Sequence, residues 1–166
     1  MATTLKPLYG ASAALTLTLN SLASDGSLLA GRSSTVVDNT SGLSVDELIT
    51  GKLVTGTTPT VSTNIFVYAW GILDDTPTYP DTVTGSDANT TITSTNVLNS
   101  GAFKLGTTIT VDATTGRAYP FSFSLASLFG GHMPKKWGIY VVHNTAVALN
   151  AAGNTVSHIP LQYQNV

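Results

Sequence analysis

The chain carries three histidines, His132, His143 and His158, and no two stand at ligand spacing such as His-x-His or His-x-x-x-His. Zinc would need carboxylates beside them, because the sequence has no cysteine. The histidines therefore read as surface or hydrogen-bonded side chains. Asp74, Asp75, Asp81 and Asp87 fall in one acidic stretch, and calcium takes about six to eight oxygen ligands from such loops. The regular Asp-x-Asp-x-Asp-Gly spacing is missing, which favours a solvated loop. Glycoside hydrolysis needs two carboxylates facing each other across a sugar bond, whereas Glu47 is the single glutamate. A serine nucleophile on a strand-to-helix turn needs Gly-x-Ser-x-Gly, and Gly10-Ala11-Ser12-Ala13 continues with Ala14 instead. The expectation is a protein that is not an enzyme, with no cofactor and no bound metal.

Other residues suit contact rather than catalysis. Gly130-Gly131 permits a sharp reversal, and Pro134 stiffens the exit toward Trp137. His132, Met133, Lys135 and Lys136 then form a candidate contact loop whose lysines would meet acidic groups on a partner. The plainer reading is a loop leading into a core strand, with Trp137 as a packing residue. Tyr79 is a candidate loop contact, an aromatic platform of the kind that sugar sites use beside Asn and Asp. Leu5, Pro7, Leu8 and Tyr9 place apolar side chains on the first fourteen residues. Such a segment would either fray or act as an arm that packs on a neighbouring subunit.

The elements that must position these residues are strands. With 166 residues the chain fits one domain, and it divides into an arm over residues 1–14 and a sandwich over 15–166. Ser and Thr together supply 43 residues, 27 of them the β-branched Thr, while charged residues make up only 10%. Net charge is −2 with no basic stripe, so nucleic acid is not an expected partner. No apolar run approaches the roughly 18 residues needed to span a membrane. The N-terminus has no apolar core of a signal peptide, which predicts synthesis in a cytoplasm without export.

Leu15, Leu17 and Leu19 alternate with Thr16, Thr18 and Asn20, a period of two that predicts a strand. Asp25-Gly26 predicts a hairpin turn before a return strand over 28–37, with Gly31 as a bulge. Residues 43–55 read as a short capped helix or a strand, the strand being favoured. The stretch 64–73 is apolar on both faces, so it is either covered on both sides or offers one face to a partner. Residues 74–100 form a long excursion. Strands follow over 103–111, 118–125, 137–142 and 155–163, with a helical turn over 125–129. Eight or nine strands broken by turn signals describe an all-β fold, an antiparallel β-sandwich resembling a jelly roll.

Three segments together resemble a family of tailed-bacteriophage virion proteins. These are Leu28-Leu29-Ala30-Gly31-Arg32-Ser33-Ser34, then Val67-Tyr68-Ala69-Trp70-Gly71 with Asp74-Asp75 and Thr78-Tyr79-Pro80-Asp81, then Phe129-Gly130-Gly131 with Pro134-Lys135-Lys136-Trp137-Gly138-Ile139. The ending Tyr163-Gln164-Asn165-Val166 is similar to theirs as well. The resemblance implies capsid decoration, or cement. Such a protein binds the outside of the major capsid protein lattice, often as a homotrimer, after synthesis in the host cytoplasm. Another virion part (tail, neck or head fibre) and a glycan-binding adhesin module are the alternatives.

Overall fold

A computed structural model of the chain describes residues 4–72, 74, 76 and 78–165. Among the described residues there are eleven strands: β1 Leu5–Tyr9, β2 Ala13–Ala14, β3 Ala30–Ser33, β4 Val37–Asp38, β5 Asp46–Val54, β6 Asn64–Ile72, β7 Ala88–Thr91, β8 Phe103–Thr110, β9 Ala118–Ser124, β10 Lys136–His143 and β11 Thr155–Asn165. Three single-turn helices join them, α1 Asn39–Gly42, α2 Thr95–Leu98 and α3 Leu125–Leu128. One sheet runs β1-β11-β5-β9 and the other β7-β3-β10-β6-β8, every pairing antiparallel. With the short β2 and β4 and the added edge strand β7 set aside, eight principal strands remain. The first of these pairs with the eighth, the second with the seventh, the third with the sixth and the fourth with the fifth. That is one long antiparallel ribbon rolled on itself, a jelly roll.

The strand β6 shows why its sequence is apolar on both faces. Ile65, Val67 and Ala69 point between the sheets, into a core with Ile49, Leu53, Trp137, Ile139 and Val141. Trp70 points the other way and joins Tyr140, Val142 and Phe103 in a second core. Val83, Ile92 and Leu98 from the long excursion close over that outer face. The excursion is therefore a cover belonging to the chain itself, and it contributes β7 and α2. Phe66 and Tyr68 lie at the margin of the cover, only half-buried.

Three expectations need correction. Residues 15–20 are extended, with Leu15 and Leu19 buried, but they form no strand. Their backbone goes elsewhere: Leu15 N–H donates to Val156, Thr16 C=O accepts from Thr35, and Thr18 N–H donates to the Asp87 carboxylate. The alternation thus records side-chain burial, not ladder pairing. Asp25-Gly26 consequently turns the chain without closing a hairpin. Gly31 is not a bulge; the register shift lies between Val67 and Tyr68, opposite Gly106.

Asp25 is the strongest local organiser of this region. Its carboxylate accepts from the main-chain N–H groups of Ala30 at 2.7 Å, Leu29 at 2.8 Å and Ser27 at 3.1 Å. These bonds, Ala30 first, hold its pKa below the usual carboxylate range. Asp25→Ala is expected to cost about 1.5–3 kcal/mol, because hydrogen bonds to a charged acceptor are worth that much and their donors lose their partner. A drop in the urea midpoint at unchanged slope measures it; an unmoved midpoint contradicts the assignment.

Candidate interaction surface

The segment expected to be a loose arm is the first strand of the jelly roll. Leu5 lies opposite Asn165, Pro7 opposite Tyr163, and Tyr9 opposite Leu161. Directly opposed residues share a face of a ladder. Ile49, fully buried, lies opposite His158, so that residue faces the core and Leu161 and Tyr163 face outward. Leu5, Pro7 and Tyr9 of β1 therefore stand on the outer face with Leu161 and Tyr163 of β11. Ile159 and its partner Leu48 extend the same face along the sheet. Leu5 is 64% exposed, Tyr9 65% and Tyr163 62%. Pairing of β11 with β5 ends at Leu161, so beyond that point β1 and β11 form a two-stranded ribbon.

The ribbon is tied down sparsely. Val45 N–H donates to Leu161, Gln162 Nε2 donates to the Gly42 carbonyl, and Leu43 and Val45 stand exposed beside it. Its free edge is blunted by chemistry. Gly10 N–H donates to the Pro160 carbonyl at 2.8 Å, which fixes the alternation of the antiparallel ladder. Leu8 and Lys6 then bond to β11, while Leu5, Pro7 and Tyr9 turn their backbone groups outward. Proline at the centre removes one of the outward donors, a device that protects edge strands from extension.

The second predicted contact, residues 130–137, is partly spent within the chain. Lys136 Nζ lies 3.3 Å from the Asp38 carboxylate, so its acidic partner is its own neighbour on β4. Asp38 is held below the usual carboxylate range mainly by Thr40, which bonds it through hydroxyl and N–H. Met133 packs against the inter-sheet core. His132 is exposed, with Nδ1 3.2 Å from the Gly130 carbonyl, and Lys135 is exposed. Trp137 is fully buried, which is the plainer reading of this segment. Tyr79 is half-buried rather than a free platform. Its ring meets Trp70 edge-to-face, with centroids 5.8 Å apart, and covers Gly85.

The titratable groups disperse in the same way. Asp81 accepts from Thr93, and Asp87 binds Arg32 at 2.6 Å and Thr18, while Asp75 lies outside the described residues. Glu47 and His158 form a 3.0 Å pair facing the core, with the His158 ring edge-to-face on Trp137. Among the described residues no three His, Asp or Glu side chains gather as a metal site, and no helix is long and apolar enough to cross a membrane. A half-open polar cleft of about 370 Å³ lies at one end of the sandwich, lined by Thr18, Asn20, Ser24, Arg32, Asn89 and Thr91 among others. Among the described residues the ribbon, with Leu5, Tyr9, Leu43 and Tyr163, gathers most of the exposed large apolar side chains. No protein-family model and no curated protein sequence matches the chain.

Sequence reasoning found half of this surface. Leu5, Pro7, Leu8 and Tyr9 were legible as apolar residues near a terminus. Tyr163, Leu161 and Leu43 were missed as a surface, although Ile159, Leu161 and Tyr163 alternate with Pro160 and Gln162 in a period of two.

Proposed function

We propose that this protein is a structural component of a bacteriophage virion, binding the outside of the capsid lattice and stabilising it as a decoration or cement protein. The carrying observation is the β1–β11 ribbon, which holds Leu5, Tyr9 and Tyr163 in water on a rigid jelly roll. Apolar patches of this kind mark protein–protein contacts. A Thr-rich surface of low charge also suits copies standing side by side, where like charges would repel. The sequence resemblance to phage virion proteins points the same way. Repetition over a lattice multiplies a modest contact through avidity.

The test is the copy number of this chain in purified virions, measured by quantitative mass spectrometry against the major capsid protein. A ratio fixed by the lattice, one per capsid subunit or a simple fraction, is the expected result. A handful of copies would assign it to the neck, tail or fibre, and absence would remove the reading. Leu5→Ser with Tyr163→Ser is expected to fold as the parent does, within about 0.5 kcal/mol per exposed substitution, yet to lose most of its capsid occupancy. Undiminished occupancy would place the contact elsewhere.

Glycan binding is the second reading, and the polar cleft is what favours it. Thr91 and Asn89 stand exposed there beside a network already anchored by Arg32 and Asp87. Saturable binding of host polysaccharide by the isolated protein, lost in Asn89→Ala, would support it.

A further inference from the structure

The strand β1 has one principal partner in the fold. Its ladder partner is β11, all five of its residues are exposed, and it has no comparable contact with any other strand or helix. An edge strand held this way gains its backbone hydrogen bonds and little side-chain burial. A two-stranded ribbon is marginal in water on its own. The segment after it is also built to open. Gly10 sits opposite Pro160, and the ladder resumes with Ala13 opposite His158. Ala11 and Ser12 therefore stand together against Ile159 alone, two residues against one, and both are exposed.

We propose that β1 is exchanged between copies of this chain, with the segment up to Gly10 swinging about Ala11–Ser12 to pair with β11 of a second copy. The occupant of the β11 edge is identified by the structure itself, since Leu5–Tyr9 already fits that slot residue by residue. Exchange keeps every β1–β11 hydrogen bond and brings two sandwiches together at the ribbon. Exchange of an identical element is an inexpensive route to an oligomer. Pro7 keeps the outer edge of β1 from recruiting further strands, and the oligomer closes where the exchange is reciprocal.

The chain has no cysteine, which makes the test direct. Leu5 and Asn165 form a non-hydrogen-bonded pair, where Cα atoms lie about 4.5 Å apart, within the range a disulfide spans. Purified Leu5→Cys/Asn165→Cys protein is oxidised and run denatured without reductant. Exchange predicts covalent multimers, and equal mixing of the two single variants before refolding predicts a covalent heterodimer. A covalent monomer overturns the proposal. Should that variant fail to fold, Tyr9→Cys/Leu161→Cys puts the same question at the other end of the ribbon. Light scattering on the unmodified chain gives an independent answer, since a monomer at all concentrations also overturns it. This outcome is separable from the shell reading: exchanged protein absent from virions removes that reading alone, and a monomeric virion component removes exchange alone.

Discussion

Gly31→Ala is expected to destabilise the protein by about 3 kcal/mol, at the upper end of the usual cost of overpacking a core. A Cβ at Gly31 would lie 2.2 Å from the Val141 carbonyl oxygen and 2.9 Å from the Tyr140 ring. The first neighbour is backbone of the β10 ladder and cannot rotate aside. The second is a fully buried ring whose hydroxyl donates to the Leu29 carbonyl at 2.5 Å. Relief therefore requires β3 to separate from β10, and β7, which pairs only with β3, must follow. Gly26→Ala is the matched control, because nothing lies within 4 Å of its added carbon. Chemical denaturation of the two variants side by side measures the difference. Equal midpoints would mean that β3 and β10 approach less closely at Gly31 than described.

The same position shows what the sequence made legible. Gly31 lies inside the return strand expected over 28–37, and a strand-internal glycine signals either a bulge or a close backbone approach. Both readings share one local pattern, and only the identity of the neighbouring strand decides between them. The neighbour is β10, more than a hundred residues away in sequence, so no window of sequence contains the answer. Residues 15–20 failed for a related reason. Their alternation was real, since Leu15 and Leu19 are buried, but alternation reports which face meets the core and says nothing of ladder pairing. Strand β6 succeeded because its two-faced apolarity allowed only a covered strand or a partner-facing one. Val83, Ile92 and Leu98 then supplied the cover from a segment that has little periodicity of its own.

The candidate surface was legible by composition and not by placement. Apolar residues at 5, 7, 8 and 9 marked a contact segment, but a free arm and an edge strand carry the same residues. Pro7 excludes a central strand but suits a free arm and the open side of an edge strand equally, and only the ladder with β11 separates the two. Lys136 shows what a local window leaves out. Its intramolecular partner Asp38 is almost a hundred positions away in sequence, and β4 brings the two within 3.3 Å.

Acid sensitivity between pH 7 and 5 should come chiefly from His143. Its ring is fully buried, with Nε2 donating to the Leu22 carbonyl at 3.1 Å and Nδ1 2.9 Å from the Thr145 hydroxyl. Burial pushes its pKa below the ordinary histidine value of 6.5, opposed in part by the Leu22 bond. The unfolded chain therefore takes up a proton near pH 6.5 while the folded chain does not. Stability is complete above that pH and falls as pH drops toward the folded-state value. Urea midpoints are expected to decline from pH 7 to 5 in the parent. His143→Gln removes the titration, so its midpoint is lower at pH 7 by about 1–3 kcal/mol of stability and flatter across that range. The pair His158–Glu47 is present in both proteins and cancels in the comparison. A second decline belongs to Asp25 and Asp87, which lie below the ordinary aspartate value of 3.8; in Asp87 burial pushes upward, but the hydrogen bonds from Arg32 and Thr18 together outweigh it. Protonating them favours the unfolded chain, so that loss begins as pH falls through 3.8 and is shared by parent and variant. Parallel curves between pH 7 and 5 would show that His143 is reached by solvent in the folded state, contrary to its position under Leu22.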